Sequence, residues 1–76
     1  MIRYRLKELI ADMEFSERRK ITLIEIAEKT GIARSTLSRL MSTTGYNTTT
    51  DVIDKLCKFF NCQTNQVAEY VADPDN

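Results

Sequence analysis

The sequence contains no histidine, one proline, two glycines and two cysteines among its 76 residues. Without histidine, and with only Cys57 and Cys62 as thiols, the usual cysteine and histidine pattern of a zinc site is missing. We therefore interpret Cys57 and Cys62 as small, partly buried core residues. Glycine-rich phosphate loops and nucleophile–base arrangements are also missing, so the sequence predicts neither an enzyme, nor a cofactor, nor a small-molecule substrate.

Long apolar runs are absent as well. No stretch approaches the roughly 20 residues that span a bilayer, and the charged start Met1–Arg5 is unlike a secretory signal. We therefore expect no membrane partner and a reducing, cytoplasmic location. Neither repeats nor linkers interrupt the chain, which predicts one domain over residues 1–72. Pro74 marks a frayed tail over residues 73–76.

The charges balance, with 11 basic and 11 acidic residues, yet they are unevenly distributed. Residues 29–58 hold five cations (Lys29, Arg34, Arg39, Lys55 and Lys58) against Asp51 and Asp54, whereas residues 59–76 hold three carboxylates and no cation. Such a dipolar chain can turn one face toward a polyanion. Chance clustering on a solvated surface is the alternative, and charge alone does not decide between them.

Apolar periodicity predicts five helices and no strand. Helix one carries Ile2, Leu6, Leu9, Ile10 and Met13, and the polar residues 15–20 follow it as a connection. Thr22 with Glu25 forms a capping box for the second helix, which ends at Gly31. The third helix runs from about Ala33 to Ser42. Residues 42–50 form a loop whose last threonines cap a fourth helix from Asp51 to Phe60. Asn61 ends that helix, and the fifth, beginning near Gln63 or Thr64, carries Val67, Tyr70 and Val71.

The segment from Leu23 to Ser42 has the residue types of a helix-turn-helix. Ala27 is small where the two helices cross most closely, and Gly31 lets the backbone reverse within a few residues. Apolar residues that fix the crossing angle stand at Ile26, Ile32, Leu37 and Leu40. A generic helical hairpin is the alternative, but it would not require these residue types in this register.

This segment, TLIEIAEKTGIARSTLSRL from Thr22 to Leu40, resembles the phage-repressor/Cro, or XRE-type, helix-turn-helix family. The segment DVIDKLCKFFNC from Asp51 to Cys62 is similar to that family's fourth helix and its exit. The resemblance extends from about Ile2 to Val71. It implies an all-α, compact five-helix lambda-repressor-like DNA-binding domain, whose third helix enters the major groove of double-stranded DNA.

The resemblance places base-contacting residues at the start and on the outer face of the third helix: Ala33, Arg34, Ser35, Ser38 and Arg39. The periodicity agrees, because Leu37 and Leu40 turn inward. Arginine can bind guanine through two hydrogen bonds, and short serines let a helix lie deep in the groove. A solvated outer face with two incidental arginines is the alternative.

Phosphate contacts are predicted at the starts of the second and fourth helices, where backbone amides point outward. The predicted residues are Thr22, Leu23, Ser42, Asn47, Thr48, Thr49, Thr50, Arg18 and Arg19. An ordinary surface loop at 47–50 and a simply solvated charge run at 18–20 are the alternatives. Leu23 departs from the family, whose members commonly have a polar residue there.

The sequence thus predicts sequence-specific DNA binding by a transcriptional regulator, most simply a repressor. We expect a homodimer on a two-fold symmetric site, with the apolar C-terminal end around Val67, Tyr70 and Val71 as its surface. A protein-interaction role, such as an antitoxin that binds a toxin, is the alternative. It is motivated by Ile24, an apolar residue outside the predicted core face.

Overall fold

The computed structural model describes residues 1–42 and 47–72. The elements in chain order are β1 (Ile2–Tyr4), α1 (Leu6–Glu17), α2 (Leu23–Thr30), α3 (Arg34–Ser42), α4 (Thr50–Phe60), α5 (Thr64–Val67) and β2 (Ala68–Tyr70). Five helices in the described part of the chain confirm the predicted lambda-repressor-like architecture. The tail predicted for residues 73–76 and the middle of the loop predicted for residues 42–50 lie outside the described residues.

One apolar core joins the helices. The residues that are almost completely shielded from solvent are Leu6, Ile10, Ile21, Ile26, Ile32, Leu37, Leu40, Leu56 and Val67. Every described helix contributes at least one of them. Within residues 1–42 and 47–72 no polar or charged residue is buried, so the hydrophobic effect alone accounts for this core.

The helix ends are set by local backbone chemistry. The Oγ1 atoms of Thr22 and Thr49 accept hydrogen bonds from backbone amides in the first turns of α2 and α4. Left-handed residues end α1 at Arg18, α2 at Gly31 and α4 at Asn61. The predicted caps of α2 and α4 are thus confirmed.

Two predictions about the helix ends are wrong, one for the end of α1 and one for the capping box of α2. The first helix does not stop near Met13 but continues to Glu17, so that most of the predicted polar connection is helical. Phe15 lies on the solvent side of this extra turn and is 87% exposed. The capping box of α2 is only half formed, because the Glu25 carboxylate pairs with Arg19 instead of reaching back to Thr22.

The two ends of the described chain form a small antiparallel sheet that the sequence did not predict. Ile2 pairs with Tyr70, Arg3 with Glu69, and Tyr4 with Ala68. The predictions that Ile2 belongs to helix one and that helix five carries Tyr70 and Val71 are therefore wrong, because α5 ends at Val67. Extended backbone at both ends lets the chain satisfy its amides and carbonyls between residues that are 64 to 68 positions apart in the sequence. Arg5 extends the pairing by donating its backbone amide to the Val67 carbonyl at 2.7 Å.

Among the described residues, no helix has the length and apolar character that crossing a bilayer requires.

Candidate nucleic-acid interface

The turn between α2 and α3 is built around Gly31. Its backbone has φ 79° and ψ 6°, and its amide donates to the Ala27 carbonyl at 2.9 Å. The Thr30 hydroxyl donates to the Ile26 carbonyl at 2.6 Å and accepts the Ile32 amide at 3.2 Å. These bonds satisfy the end of α2, and the left-handed glycine reverses the chain.

The angle between α2 and α3 is fixed by buried side chains on both helices. Ile26 of α2 and Leu37 of α3 have no solvent exposure, and Leu40 and Ile32 are nearly as buried. Ala27 is half-buried beside this cluster. The apolar residues predicted to fix the crossing are therefore all in the core, and α3 is held firmly against α2.

The opposite side of α3 faces solvent. Arg34, Ser35, Ser38 and Arg39 are exposed, as is Ala33 just before the helix. Ser42, at the end of α3, is exposed and donates its hydroxyl to the Ser38 carbonyl at 2.9 Å. The structure thus brings the five predicted base-contacting residues together on one accessible surface, which we call the outer face of α3.

The start of α3 has no side-chain cap. Ala33 occupies the cap position, where its carbonyl accepts the amides of Thr36 and Leu37 at 3.0 and 3.2 Å. Its methyl group can accept no hydrogen bond from the first-turn amides of Arg34 and Ser35. Amides in the first turn of a helix have no acceptor within that helix, so an acceptor on a partner can bind them.

The cations of residues 29–58 divide into two groups. Lys29, Lys55 and Lys58 pair with carboxylates one helical turn earlier, at 3.5, 3.0 and 3.1 Å respectively. The other two, Arg34 and Arg39, are exposed on the outer face of α3.

The predicted phosphate-contacting residues Arg18 and Arg19 lie in the connection just before α2. Thr22 is exposed and Leu23 is half-buried against the core. Arg18 is exposed with a left-handed backbone at φ 55°. Arg19 is exposed, but its guanidinium donates to both Glu25 and Glu17 at 2.8 Å. These bonds raise the pKa of Arg19 and lower the pKa of Glu25.

The start of α4 forms a second polar edge. Asn47, Thr49 and Thr50 are exposed and Thr48 is half-buried. The Thr49 hydroxyl accepts the Val52 amide at 3.3 Å, so this oxygen is already used within the chain. Asp51 brings a negative charge to the first turn, which Lys55 pairs at 3.0 Å.

The hydrogen bonds between Arg19 and Glu25 could not be predicted from the sequence. The two residues are six positions apart and lie on either side of a helix boundary, so neither helical periodicity nor the pair spacing of a single helix applies. The sequence predicts Glu25 only as part of a capping box. Because α1 continues to Glu17, Arg19 lies near the first turn of α2, and the shorter predicted helix does not indicate this proximity.

The cysteines are half-buried, as predicted. Within the part of the chain that the structure describes, histidine, cysteine, aspartate and glutamate form no group of three or more that could hold a metal ion.

Comparison with known proteins agrees with this architecture. A model of the Cro/C1-type HTH DNA-binding domain matches residues 5–73. The crystal structure of a proposed DNA-binding protein from Bacteroides fragilis superposes with a TM-score of 0.68 at 25% sequence identity, covering 91% of this chain and 100% of that one. No curated protein matches the sequence. Because the domain match includes every described helix, the chain belongs to the Cro/C1-type helix-turn-helix family of DNA-binding domains.

Proposed function

We propose that residues 1–72 act as one sequence-specific DNA-binding domain of a transcriptional regulator, most simply a repressor. In this proposal residues 33–42 enter the major groove of double-stranded DNA. The observation that carries it is the outer face of α3, where two arginines and two serines are exposed while Leu37 and Leu40 anchor the helix from behind.

Each residue type on the outer face of α3 suits a different contact. Arg34 and Arg39 can each donate two hydrogen bonds to O6 and N7 of guanine. Ser35 and Ser38 can bind bases or phosphates, and their small size allows close approach. Ala33 adds a methyl group that can contact the methyl group of thymine.

Phosphate contacts are proposed on both sides of α3. At the start of α2, Thr22 and Leu23 would bind phosphate through exposed first-turn amides, and Arg18 would add a charge. At the start of α4, Asn47 and Thr48–Thr50 would do the same, joined by Ser42 from the end of α3. Arg19 can contribute only if phosphate replaces the carboxylate of Glu25, with which it now pairs.

The proposed homodimer requires a surface different from the predicted one. Val67 is 1% exposed and belongs to the core, so its assignment to the dimer surface is wrong. Tyr70 and Val71 are exposed, and Ile2 stands directly across from Tyr70. Ile2 and Tyr70 are thus apolar neighbours on a sheet that has two strands in the described chain. Both are edge strands, and edge strands readily pair with a strand of another chain, which supports association there.

The experiment that tests this function is selection of binding sites from random duplexes by the full chain, at two salt concentrations. We expect an enriched, two-fold symmetric motif with half-site centres about 34 Å apart. Affinity should fall steeply as salt rises, because phosphate contacts release counterions. Failure to enrich any motif at either concentration would contradict the proposal.

A matched pair of variants makes this selection specific. Arg34→Ala/Arg39→Ala removes two charges from the outer face of α3 and should abolish the enriched motif. Lys7→Ala/Lys58→Ala removes the same charge from exposed positions on α1 and α4 and should leave the motif unchanged. Loss of the motif in both variants would mean that net charge alone drives binding.

A protein-interaction role is the second candidate. It is favoured by Ile24, which lies in the first turn of α2, is 52% exposed and stays outside the core. In an antitoxin-like module such a residue would be covered by the partner. Co-purification of a small basic protein that is lost in Ile24→Ser, with DNA binding unchanged by this substitution, would support that role.

A further inference from the structure

Cys57 and Cys62 occupy the two positions of the α4 C-terminal cap whose side chains meet. Asn61 is left-handed at φ 52° and ψ 56°, and its amide donates to the Cys57 carbonyl. The Cys62 amide donates to the same carbonyl at 3.0 Å. This six-to-one hydrogen bond is characteristic of a Schellman-type cap, in which the side chains at these two positions frequently contact each other. Here both of these side chains are thiols.

The two thiols share one partly open environment. Both are half-buried and line one open cleft of about 340 Å³ beside Ile53, Asp54 and Gln63. Burial raises the pKa of the Cys62 thiol, and its interaction with Cys57 raises that pKa further. None of the residues lining this cleft is a lysine or arginine that would stabilise a thiolate.

We propose that Cys57 and Cys62 are a modification site, a dithiol that a small-molecule disulfide such as oxidised glutathione converts to an intramolecular disulfide. One cysteine loses its proton, attacks a sulfur of oxidised glutathione and releases one glutathione thiolate, leaving a mixed disulfide. The second cysteine loses its proton and attacks the protein sulfur of that mixed disulfide, releasing the second glutathione. Two protein thiols are oxidised and one glutathione disulfide is reduced.

The cap geometry favours this bond over a bond to another molecule. A disulfide needs its two Cα atoms about 4.4–6.8 Å apart with the Cβ atoms directed toward each other. The six-to-one hydrogen bond folds the chain back so that residues 57 and 62 lie side by side, and the electrostatic contact between the thiols agrees with this. The bond would tie the last turn of α4 to the residues that lead into α5.

The test is titration of the full chain with reduced and oxidised glutathione, read by intact mass after acid quenching. We expect a monomeric product lighter by two hydrogens. The quantity compared is the glutathione buffer in which half of the chain is oxidised. For the folded chain this buffer should be at least about tenfold more reducing than for the chain unfolded in guanidinium, because the native cap holds the thiols together. The closure rate should rise with pH as the Cys62 thiol ionises.

Two single variants serve as controls. Cys57→Ser and Cys62→Ser each retain one thiol and should give only a glutathione adduct under the same conditions. The proposal is overturned if the unfolded chain oxidises as readily as the folded one. It is equally overturned if the wild-type product is an adduct or a disulfide-linked dimer. This readout does not involve DNA, so its outcome is independent of the proposed function.

Discussion

Arg19 donates two hydrogen bonds to the Glu25 carboxylate, from Nη1 to Oε1 and from Nη2 to Oε2, each 2.8 Å long. This two-point contact joins the chain just after α1 to the first turn of α2. Nearby, the Ile21 amide donates to the Glu14 carboxylate at 2.9 Å. The angle at which α2 leaves α1 is therefore fixed by side chains that bridge the connection.

The Arg19–Glu25 pair predicts how stability responds to acid. The hydrogen bond from Arg19 lowers the pKa of Glu25 in the folded chain. A lowered acid pKa gives stability that is present at neutral pH. This stability is lost as pH falls below the usual glutamate value of about 4.3 and through the lowered value. We expect Glu25→Gln to lower the melting temperature at neutral pH and to have progressively less effect in acid.

Thermal unfolding followed by circular dichroism across this pH range measures the effect of Glu25→Gln. Glu28→Gln is the control, because it removes a charge from the same helix without contacting Arg19. A difference between wild type and Glu25→Gln that stays constant from neutral to acid pH would contradict the assigned role of the pair.

Arg39 and Arg18 should differ in what they contribute to DNA binding. Arg39→Ala should cost about 1–3 kcal/mol of discrimination between the selected site and random DNA, because a base contact is lost. Arg18→Ala should weaken binding to all sequences similarly and reduce the salt slope by about 1, as expected for a phosphate contact. Fluorescence anisotropy on both duplexes at several salt concentrations separates the two. Equal losses on cognate and random DNA for Arg39→Ala would refute its assignment.

Replacing Gly31 should destabilise the folded chain only through strain in the left-handed backbone at this position. A Cβ atom at this position would have no neighbour within 4 Å, yet φ is 79°. We expect Gly31→Ala to lower the free energy of unfolding by about 1–2 kcal/mol, and Gly31→Asn to lower it less, because asparagine tolerates the left-handed region. Urea unfolding with an unchanged m-value is the measurement. An alanine variant as stable as wild type would contradict the observed turn.

Ala33 offers a position at which stability should increase. A serine there could accept a first-turn amide of α3, and a side-chain N-cap contributes about 1 kcal/mol. Ala33→Ser should therefore raise the free energy of unfolding by about that amount. The same change at exposed Ala11, in the middle of α1, should lower it slightly, because serine is a poorer helix former than alanine. If both changes shift stability in the same direction, capping is not the cause.

The proposed dimer surface predicts an effect of Tyr70→Glu on self-association. Tyr70 is 73% exposed, and a charge there should weaken dimerisation at least about tenfold, since it would have to be desolvated. Sedimentation equilibrium measures this directly. Phe15→Glu is the matched control: Phe15 is at least as exposed but lies on α1, away from the sheet. Dissociation by both variants, or by neither, would count against the sheet as the dimer surface.

The parts of the fold that the sequence predicts well are those with a local cause. The sequence predicts Thr22 as a cap, and one of the threonines before Asp51 as another, because a hydroxyl before an apolar periodic run satisfies first-turn amides; the second cap is Thr49. Gly31 and Asn61 were expected as helix ends because these residue types tolerate left-handed backbone. The buried and exposed sides of α3 follow from helical periodicity alone, and with them the accessibility of the candidate site.

The sheet could not be predicted in the same way. Each strand has only three residues, too few to show an alternating pattern, and the partner of Ile2 lies at Tyr70. Apolar residues at positions 2, 6, 9 and 10 fit a helix equally well, so a local window favours the wrong structure. The ion pairs of Arg19 could not be predicted for a related reason. They join side chains across the end of α1, which lies at Glu17 and not near Met13 as predicted.

The pairing of β1 with β2 also bears on the order in which the chain folds. Contacts between α2 and α3 and between α4 and α5 join neighbours in sequence, whereas the sheet must close a loop that includes nearly all of the chain. Loop-closure entropy makes such a contact unfavourable until the helices between the strands have packed. We therefore expect the helix-turn-helix to form before the sheet during folding, and local opening of the sheet to leave α2 and α3 packed against each other.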